Sequence, residues 1–123
     1  MIVLDTSAIL DLIEGNEKGN QIQQYIEKEE TAITTITVHE LLRGSSKREK
    51  ETMFVLFKTA QILAYDYQAA LWSVTIAERL YAKGRPIGDM DMLIAAICVE
   101  KGLHLLTTDG DFKRVEGLKV TVV

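Results

Sequence analysis

The chain has 123 residues, of which 47% are hydrophobic and 26% are charged, and its formal net charge at pH 7 is −4. This length predicts a single domain over residues 1–123, and the apolar content excludes a disordered chain. Since the longest apolar run, residues 92–99, is far shorter than the roughly 18 residues that span a bilayer, we expect no membrane partner.

The single cysteine, Cys98, excludes an intrachain disulfide and lies within an apolar run, so we expect it to be a small buried hydrophobic residue. The first residues carry no basic segment, and Asp5 interrupts their apolar stretch, so a signal peptide is not expected. Both features favour a cytoplasmic protein with reduced thiols.

Short apolar runs of the kind that form strands alternate with longer runs of helical spacing. The predicted strands cover residues 2–4, 32–35, 61–64, 103–107 and 118–123. The predicted helices begin at about residue 7 and then cover residues 16–30, 38–43, 46–60, 66–83 and 89–101. Because strands separated by helices form βαβ crossovers, we expect a three-layer α/β/α sandwich with a central parallel sheet.

Acidic residues recur where a parallel sheet would bring them together. Asp5 directly follows the first predicted strand, Asp109 follows the fourth, and Glu40 lies within two turns of the end of the second. Asp89 and Asp91 lie in the first turn of the helix that leads into the fourth strand. Because ligands bind at the carboxyl ends of parallel strands, we expect Asp5, Glu40, Asp109 and either Asp89 or Asp91 to converge there.

Several carboxylates in one place repel one another, since two like charges about 4 Å apart cost about 4 kcal/mol at an effective dielectric constant near 20. Either some of them take up protons or a cation neutralises them. Mg²⁺ and Mn²⁺ bind oxygen ligands and need neither His nor Cys. Such a cation suits the hydrolysis of phosphodiesters by activated water.

Each acid also has a purely structural explanation when it is taken alone. Asp5 and Asp89 could cap the helices that follow them, and Asp91 suits the dipole of a first helical turn. Asp109 begins a common turn dipeptide, and Glu40 could lie on a solvated face. It is the joint placement of the five acids that favours a functional site.

Basic residues form two clusters that could contact the phosphates of a nucleic acid, although ordinary solvated helix faces explain them too. The clusters consist of Arg43, Lys47, Arg48 and Lys50, and of Lys113 and Arg114. His39 is expected at the surface and His104 in a structural role, so neither is favoured for acid–base chemistry.

Four short motifs contain the acids. They are Val-Leu-Asp-Thr-Ser-Ala at residues 3–8, Val-His-Glu-Leu-Leu-Arg-Gly at 38–44, Ile-Gly-Asp-Met-Asp-Met-Leu-Ile-Ala-Ala at 87–96 and Leu-Thr-Thr-Asp-Gly-Asp-Phe at 106–112. In this order they resemble the motifs of the PIN-domain family, in particular its VapC-type toxins from toxin–antitoxin pairs. The third motif is the most specific, and the resemblance covers essentially the whole chain.

This resemblance implies an endoribonuclease that depends on one or two Mg²⁺ or Mn²⁺ ions, pairs with a small antitoxin protein and often forms homodimers. By motif position, the implied catalytic and metal-binding acids are Asp5, Glu40, Asp91 and Asp109. The side chains implied as accessory groups are Asp89, Asp111, Thr6 and Thr107. An activated water would then attack a phosphate of the RNA substrate.

Other functions stay open at this point. A dehalogenase-type phosphatase would need an aspartate at the position of Ser7, and a receiver-type phosphoacceptor would need a second acid beside Asp5. A catalytically idle PIN-like module that binds RNA or protein is the closer alternative, together with a housekeeping nuclease of RNA maturation. The complete set of acids and the short chain favour the toxin.

Two apolar helical stripes could serve either the core or a groove for an antitoxin helix. They consist of Ile22, Tyr25 and Ile26, and of Met53, Phe54 and Phe57.

Overall fold

Five parallel strands form one sheet in the computed structural model, which describes all residues from 1 to 123. The strands are β1 (Ile2–Leu4), β2 (Thr31–Thr34), β3 (Gln61–Leu63), β4 (His104–Thr107) and β5 (Val120–Val122). Their order across the sheet is β3-β2-β1-β4-β5, so β1 lies at the centre. In the register, Ile2 lies beside Thr31 of β2 and beside His104 of β4. The expected parallel α/β architecture is confirmed.

Six α-helices connect the strands and cover both faces of the sheet. They are α1 (Thr6–Glu14), α2 (Glu17–Ile26), α3 (Thr35–Arg43), α4 (Lys47–Thr59), α5 (Tyr67–Ala82) and α6 (Asp89–Lys101). A short 3-10 helix, Gly110–Arg114, follows β4 and is not predicted by the sequence. Most of the α-helices begin with a side-chain oxygen that accepts a hydrogen bond from an otherwise unpaired backbone amide. These N-caps are Asp5, Asn16, Thr34, Ser46 and Asp66.

The structure corrects three details of the predicted elements. Helix α2 ends at Ile26 rather than at residue 30, and Thr35 belongs to α3 rather than to β2, because Thr34 caps α3. The expectation that Asp89 caps α6 is wrong. Gly88 occupies the N-cap position of α6, and no side chain there accepts a hydrogen bond from the first amides.

Alternate residues of each strand point to opposite faces of the sheet, so the sheet separates two cores. The core beneath α5 and α6 includes Val3 of β1. The core beneath α1 to α4 includes Ile2 and Leu4. Residues 94–98 of α6 are all fully buried, so apolar groups surround this helix on every side.

Helix α5 turns one of its two apolar stripes away from the core. The apolar residues that fall in phase along its sequence are Tyr67, Ala70, Leu71, Val74, Ala77 and Tyr81, and the four largest of them are exposed. The buried face is formed instead by Ala69, Ser73, Ile76 and Leu80. The small side chains of Ala69 and Ser73 allow α5 to pack closely on α6. An apolar face of α5 is thereby left in contact with solvent.

The two stripes considered for partner binding are divided between core and surface. Ile22 and Met53 are buried in the core beneath α1 to α4, and Phe57 packs against that core. Tyr25 and Phe54 are exposed. The rings of Phe54 and Phe57 meet edge to face, with their centroids 6.2 Å apart. None of the helices has the length and apolar character that a membrane span requires.

Candidate active site

Two of the predicted acids lie at the carboxyl ends of adjacent central strands. Asp5 follows β1 and Asp109 follows β4, and β1 and β4 pair directly through Leu4 and Leu106. The amide of Asp5 donates a hydrogen bond to the carbonyl of Leu106 at 3.4 Å. The parallel sheet therefore fixes the separation of these two acids through backbone contacts.

The Asp5 side chain is buried and fully engaged by hydrogen-bond donors. Its Oδ1 accepts a hydrogen bond from the amide of Ala8 at 2.9 Å, which makes it the N-cap of α1. The Ser7 hydroxyl lies 3.0 Å from both carboxylate oxygens, and the Thr107 hydroxyl donates to Oδ2 at 2.7 Å. Asp5 thus caps a helix and also faces the site, so the two explanations of this residue are compatible.

Burial raises the pKa of Asp5 above its usual value. The hydrogen bonds from Thr107, Ala8 and Ser7 oppose this rise, and the negative charge of Asp109 adds to it. Burial also raises the pKa of the Cys98 thiol to about 12, with a smaller contribution from the charge of Asp5. Cys98 is therefore an inert buried thiol, as expected from its apolar surroundings.

Thr107 links Asp5 to Asp109. Its hydroxyl donates to Asp5 and accepts a hydrogen bond from the amide of Asp109 at 3.0 Å. The Oδ1 atom of Asp109 in turn accepts from the amide of Asp111 at 2.9 Å and caps the 3-10 helix. One buried hydroxyl thus holds the two strand-end acids in a fixed relation.

Glu40 reaches the same region from α3. The hydroxyl of Thr6 donates to Oε1 of Glu40 at 2.6 Å, so the first residue of α1 orients the glutamate. The hydroxyl of Thr37, one turn earlier on α3, lies 3.4 Å from that of Thr6. A chain of hydroxyl groups therefore connects α1 to α3 beside Asp5.

Asp91, on the first turn of α6, is exposed to the negative charges of these acids. Burial, as the largest cause, and the negative charges of Asp109, Asp5, Glu40 and Asp111, in decreasing order of effect, together raise its pKa from 3.8 to about 6. These charges come from three separate segments of the chain, since Asp109 and Asp111 both follow β4. The acids that the sequence analysis places at one edge of the sheet therefore do lie close enough to repel one another.

The acids are gathered at one edge, but they do not form a finished metal cage. No group of three or more His, Cys, Asp or Glu side chains has an arrangement that could hold a metal ion as it stands. The donor set nevertheless suits a hard divalent cation, because it consists of carboxylate oxygens whose mutual repulsion such a cation would relieve. Mg²⁺ is usually held by one or two carboxylates and keeps several waters, so a closed cage is not required.

Other predicted residues lie at the margin of this cluster. Asp89 is exposed, and its charge is not among those that raise the pKa of Asp91. Asp111 forms an ion pair with Arg114 at 3.2 Å, and Arg114 also donates to the carbonyl of Pro86. The remaining basic candidates are exposed; they are Arg43, Lys47, Arg48, Lys50 and Lys113.

The two histidines occupy the kinds of position that the sequence predicts. His39 is exposed on α3. The Nε2 atom of His104 lies 2.6 Å from the Thr121 hydroxyl, across the pair of strands β4 and β5. His104 therefore has a structural role at the edge of the sheet.

Ser7 has a role in the site that was not predicted from the sequence. Besides contacting Asp5, the Ser7 hydroxyl accepts a hydrogen bond from the amide of Thr108 at 3.3 Å. It thus ties α1 to the segment that follows β4. The signal for this role is the pair of hydroxyl residues, Thr6 and Ser7, that directly follows a strand-end aspartate.

Comparison with known proteins decides the family. The model of the PIN domain family matches residues 2–118. The chain belongs to the PIN-domain family. Among curated relatives, ribonuclease VapC1 of Rickettsia felis is 33% identical over 99% of this chain and 96% of that protein. The tRNA(fMet)-specific endonuclease VapC of Salmonella typhimurium is 27% identical over 96% of this chain and 94% of its own.

Solved structures place the chain in the same branch of the PIN-domain family. The DNA-bound VapBC of Salmonella typhimurium contains a chain that superposes with a TM-score of 0.84 and 27% identity, covering 98% of this chain and 96% of that one. A chain of VapBC-1 from nontypeable Haemophilus influenzae gives a TM-score of 0.84 and 26% identity, covering 99% of this chain and 98% of that one. The predicted resemblance to VapC-type PIN domains is confirmed over nearly the full length.

Proposed function

We propose that this PIN domain is a metal-dependent endoribonuclease and the toxin of a VapBC-type toxin–antitoxin pair. The relatives named as VapC ribonucleases support the nuclease activity. The single observation that carries the mechanism is that Thr107 links Asp5 to Asp109 at the carboxyl ends of paired strands, while Thr6 holds Glu40 beside them. Acids from separate segments that repel one another at one edge of the sheet are suited to hold a divalent cation.

In this proposal Asp5, Glu40, Asp91 and Asp109 hold one or two Mg²⁺ or Mn²⁺ ions. When bound, such an ion supplies an activated water and neutralises the negative charge that develops on the scissile phosphate. Asp89 and Asp111 flank the site without a direct ligand role, since Asp89 is exposed and Asp111 is paired with Arg114. Cleavage would take place in the cytosol, where RNA is found.

The hydroxyl groups of the chain prepare the acids for this task. Thr107 and Ser7 donate hydrogen bonds to Asp5 and favour its ionised form against the effect of burial. Thr6 donates to one oxygen of Glu40, and no hydrogen bond from the chain occupies the other oxygen. These donors position the ligand oxygens before any substrate arrives, which is how a pre-organised site lowers a reaction barrier.

The proposed partners are an antitoxin and a second copy of the chain. The proposed contact surface for the antitoxin is the exposed ring of Phe54 on α4, together with Phe57 beside it. For the homodimer we assign the outward face of α5, where exposed Tyr67, Leu71, Val74 and Tyr81 follow steps of three, four and seven residues. This spacing is typical of a helix that packs along a second helix, and a twofold interface pairs such a face with itself.

The function is tested by incubating the protein with a panel of structured RNAs in Mg²⁺, Mn²⁺ or chelator and mapping the ends of the products. We expect endonucleolytic cuts in either metal, none in chelator, and loss of cleavage in Asp5→Asn. Glu14→Gln, which removes an exposed acid at the end of the same helix, is the matched control and should cleave normally. An Asp5→Asn variant that is folded and cleaves at the wild-type rate would contradict the mechanism. Binding of RNA without cleavage in any metal would favour the idle module instead.

A further inference from the structure

A cavity of about 300 Å³ opens beside the acids and is not used by the mechanism above. It is lined by His39, Glu40, Arg43, Gly44 and Met90. Glu40 is the only acid in this lining, so the cavity adjoins the acidic cluster through a single carboxylate. Its volume lies at the lower end of the range found for small-ligand sites.

Arg43 is a cation without a carboxylate partner. It lies three residues after Glu40 on α3 and therefore shares a helical face with that acid. No ion pair or side-chain hydrogen bond engages its guanidinium, whereas Arg114 is paired with Asp111 and Lys83 with Glu116. An unpaired guanidinium at the rim of an acidic site is suited to a phosphate that would otherwise be repelled.

Met90 provides an apolar part of the cavity lining. It lies between Asp89 and Asp91 in the first turn of α6 and is 38% exposed, so it adds little to the core. Its flexible thioether is a favourable contact for a flat aromatic ring. The exposed imidazole of His39 offers a surface on which an unstacked base can stack.

We propose that this cavity binds one nucleotide of the RNA next to the scissile phosphate. Arg43 contacts a backbone phosphate of that nucleotide, and Met90 and His39 hold its base. The inference rests on the proposed nuclease function, because Glu40 joins the cavity to the cleavage site. It assigns selection of the base beside the cut to Met90 and His39, and part of the RNA affinity to Arg43.

Binding to RNA can be measured separately from cleavage. Fluorescence anisotropy with a labelled single-stranded RNA, in chelator, gives the affinity at several salt concentrations. We expect Arg43→Gln to weaken binding about tenfold and to reduce the slope of log affinity against log salt by about 0.7, the value for one lost phosphate contact on a single strand. Arg43→Lys should recover part of the affinity, and Lys58→Gln, at an exposed cation of α4, should change neither quantity.

The base contact is tested by the cleavage pattern. Using RNAs that differ only in the nucleotides beside a mapped cut, we expect Met90→Ala to raise KM several-fold and to flatten the preference at one position beside the cut. Val55→Ala, at another exposed apolar side chain, is the control and should retain the wild-type preference. The proposal is overturned if Arg43→Gln leaves affinity and salt slope unchanged, or if Met90→Ala retains the full preference. Normal cleavage by both variants would remove the subsite while leaving the nuclease function in place.

Discussion

Replacing Asp91 by asparagine should stabilise the metal-free protein even though it removes a proposed metal ligand. Asp91 has a pKa of about 6 in the folded chain against 3.8 as the reference value, because it is partly buried and faces four other acids. An acid whose pKa is raised by folding holds its proton more tightly in the folded state, so its ionisation favours unfolding. The destabilisation is absent below pH 3.8, grows as the pH rises, and is complete above about pH 6.

The size of the effect follows from the same pKa values. At about 1.4 kcal/mol for each pH unit, a rise from 3.8 to about 6 corresponds to ~3 kcal/mol for a fully buried group. Asp91 is only half-buried, and solvent screens its interactions, so we expect a gain of roughly 1–2 kcal/mol for Asp91→Asn at pH 7.5. At pH 5 the gain should be smaller, because wild-type Asp91 is then mostly protonated in the folded state.

The measurement is urea unfolding of wild type and Asp91→Asn in chelator at pH 5 and pH 7.5. Comparing the two proteins at each pH isolates this carboxylate from the other titrating groups. Saturating Mn²⁺ should reverse the order at pH 7.5, since a ligand that binds only the folded state stabilises it by about 2.7 kcal/mol at a hundred times its Kd. The reasoning is refuted if Asp91→Asn is less stable than wild type at pH 7.5 in chelator, or if the difference does not depend on pH.

Three further predictions concern the surroundings of the site and the proposed dimer. Thr107→Val removes a donor to Asp5 and an acceptor for the amide of Asp109, so it should lower the free energy of unfolding by ~1–3 kcal/mol. The control variant Thr52→Val, on the surface of α4, should change the free energy of unfolding little. Gly19→Ala should destabilise by ~1–3 kcal/mol in thermal unfolding, because the added Cβ would lie 2.1 Å from the backbone oxygen of Asp11; exposed Asn20→Ala is its control. The double variant Leu71→Glu, Val74→Glu should be monomeric by light scattering at concentrations where wild type and the control variant Gln68→Glu are dimeric. A dimer that persists in the double variant would exclude the outward face of α5 as the dimer interface.

Much of the fold could be predicted from the sequence because strands and helices alternate with clear end signals. The positions of Asp5 and Asp109 followed directly, since an acid after a buried parallel strand must lie at its carboxyl edge. The rotation of a helix about its axis is harder to predict. Asp89 and Asp91 both lie in the first turn of α6, but two helical steps rotate the side chain by about 200° about the helix axis. These two side chains therefore point to nearly opposite sides, and only Asp91 faces the other acids.

Helix α5 shows why the choice between two faces of a helix could not be made from the pattern alone. Its sequence contains one stripe that includes Leu71 and Val74, and a second stripe in which Ala69 and Ser73 precede Ile76 and Leu80. The second stripe is the buried one, because Ala69 and Ser73 leave room for α6 to come close. That requirement is set by α6 and is not visible in the sequence of α5 alone. The contact between Thr6 and Glu40 depends in the same way on how α1 and α3 meet.

The most direct measurement is an anomalous diffraction experiment on crystals of the wild-type protein soaked in Mn²⁺. We expect an anomalous peak within coordination distance of at least one oxygen of Asp5, with carboxylates of Glu40, Asp91 or Asp109 facing it directly or through water. The peak should be absent from Asp5→Asn crystals soaked in the same way. Crystals that diffract well after a saturating soak and show no peak among these acids would contradict the proposed metal site.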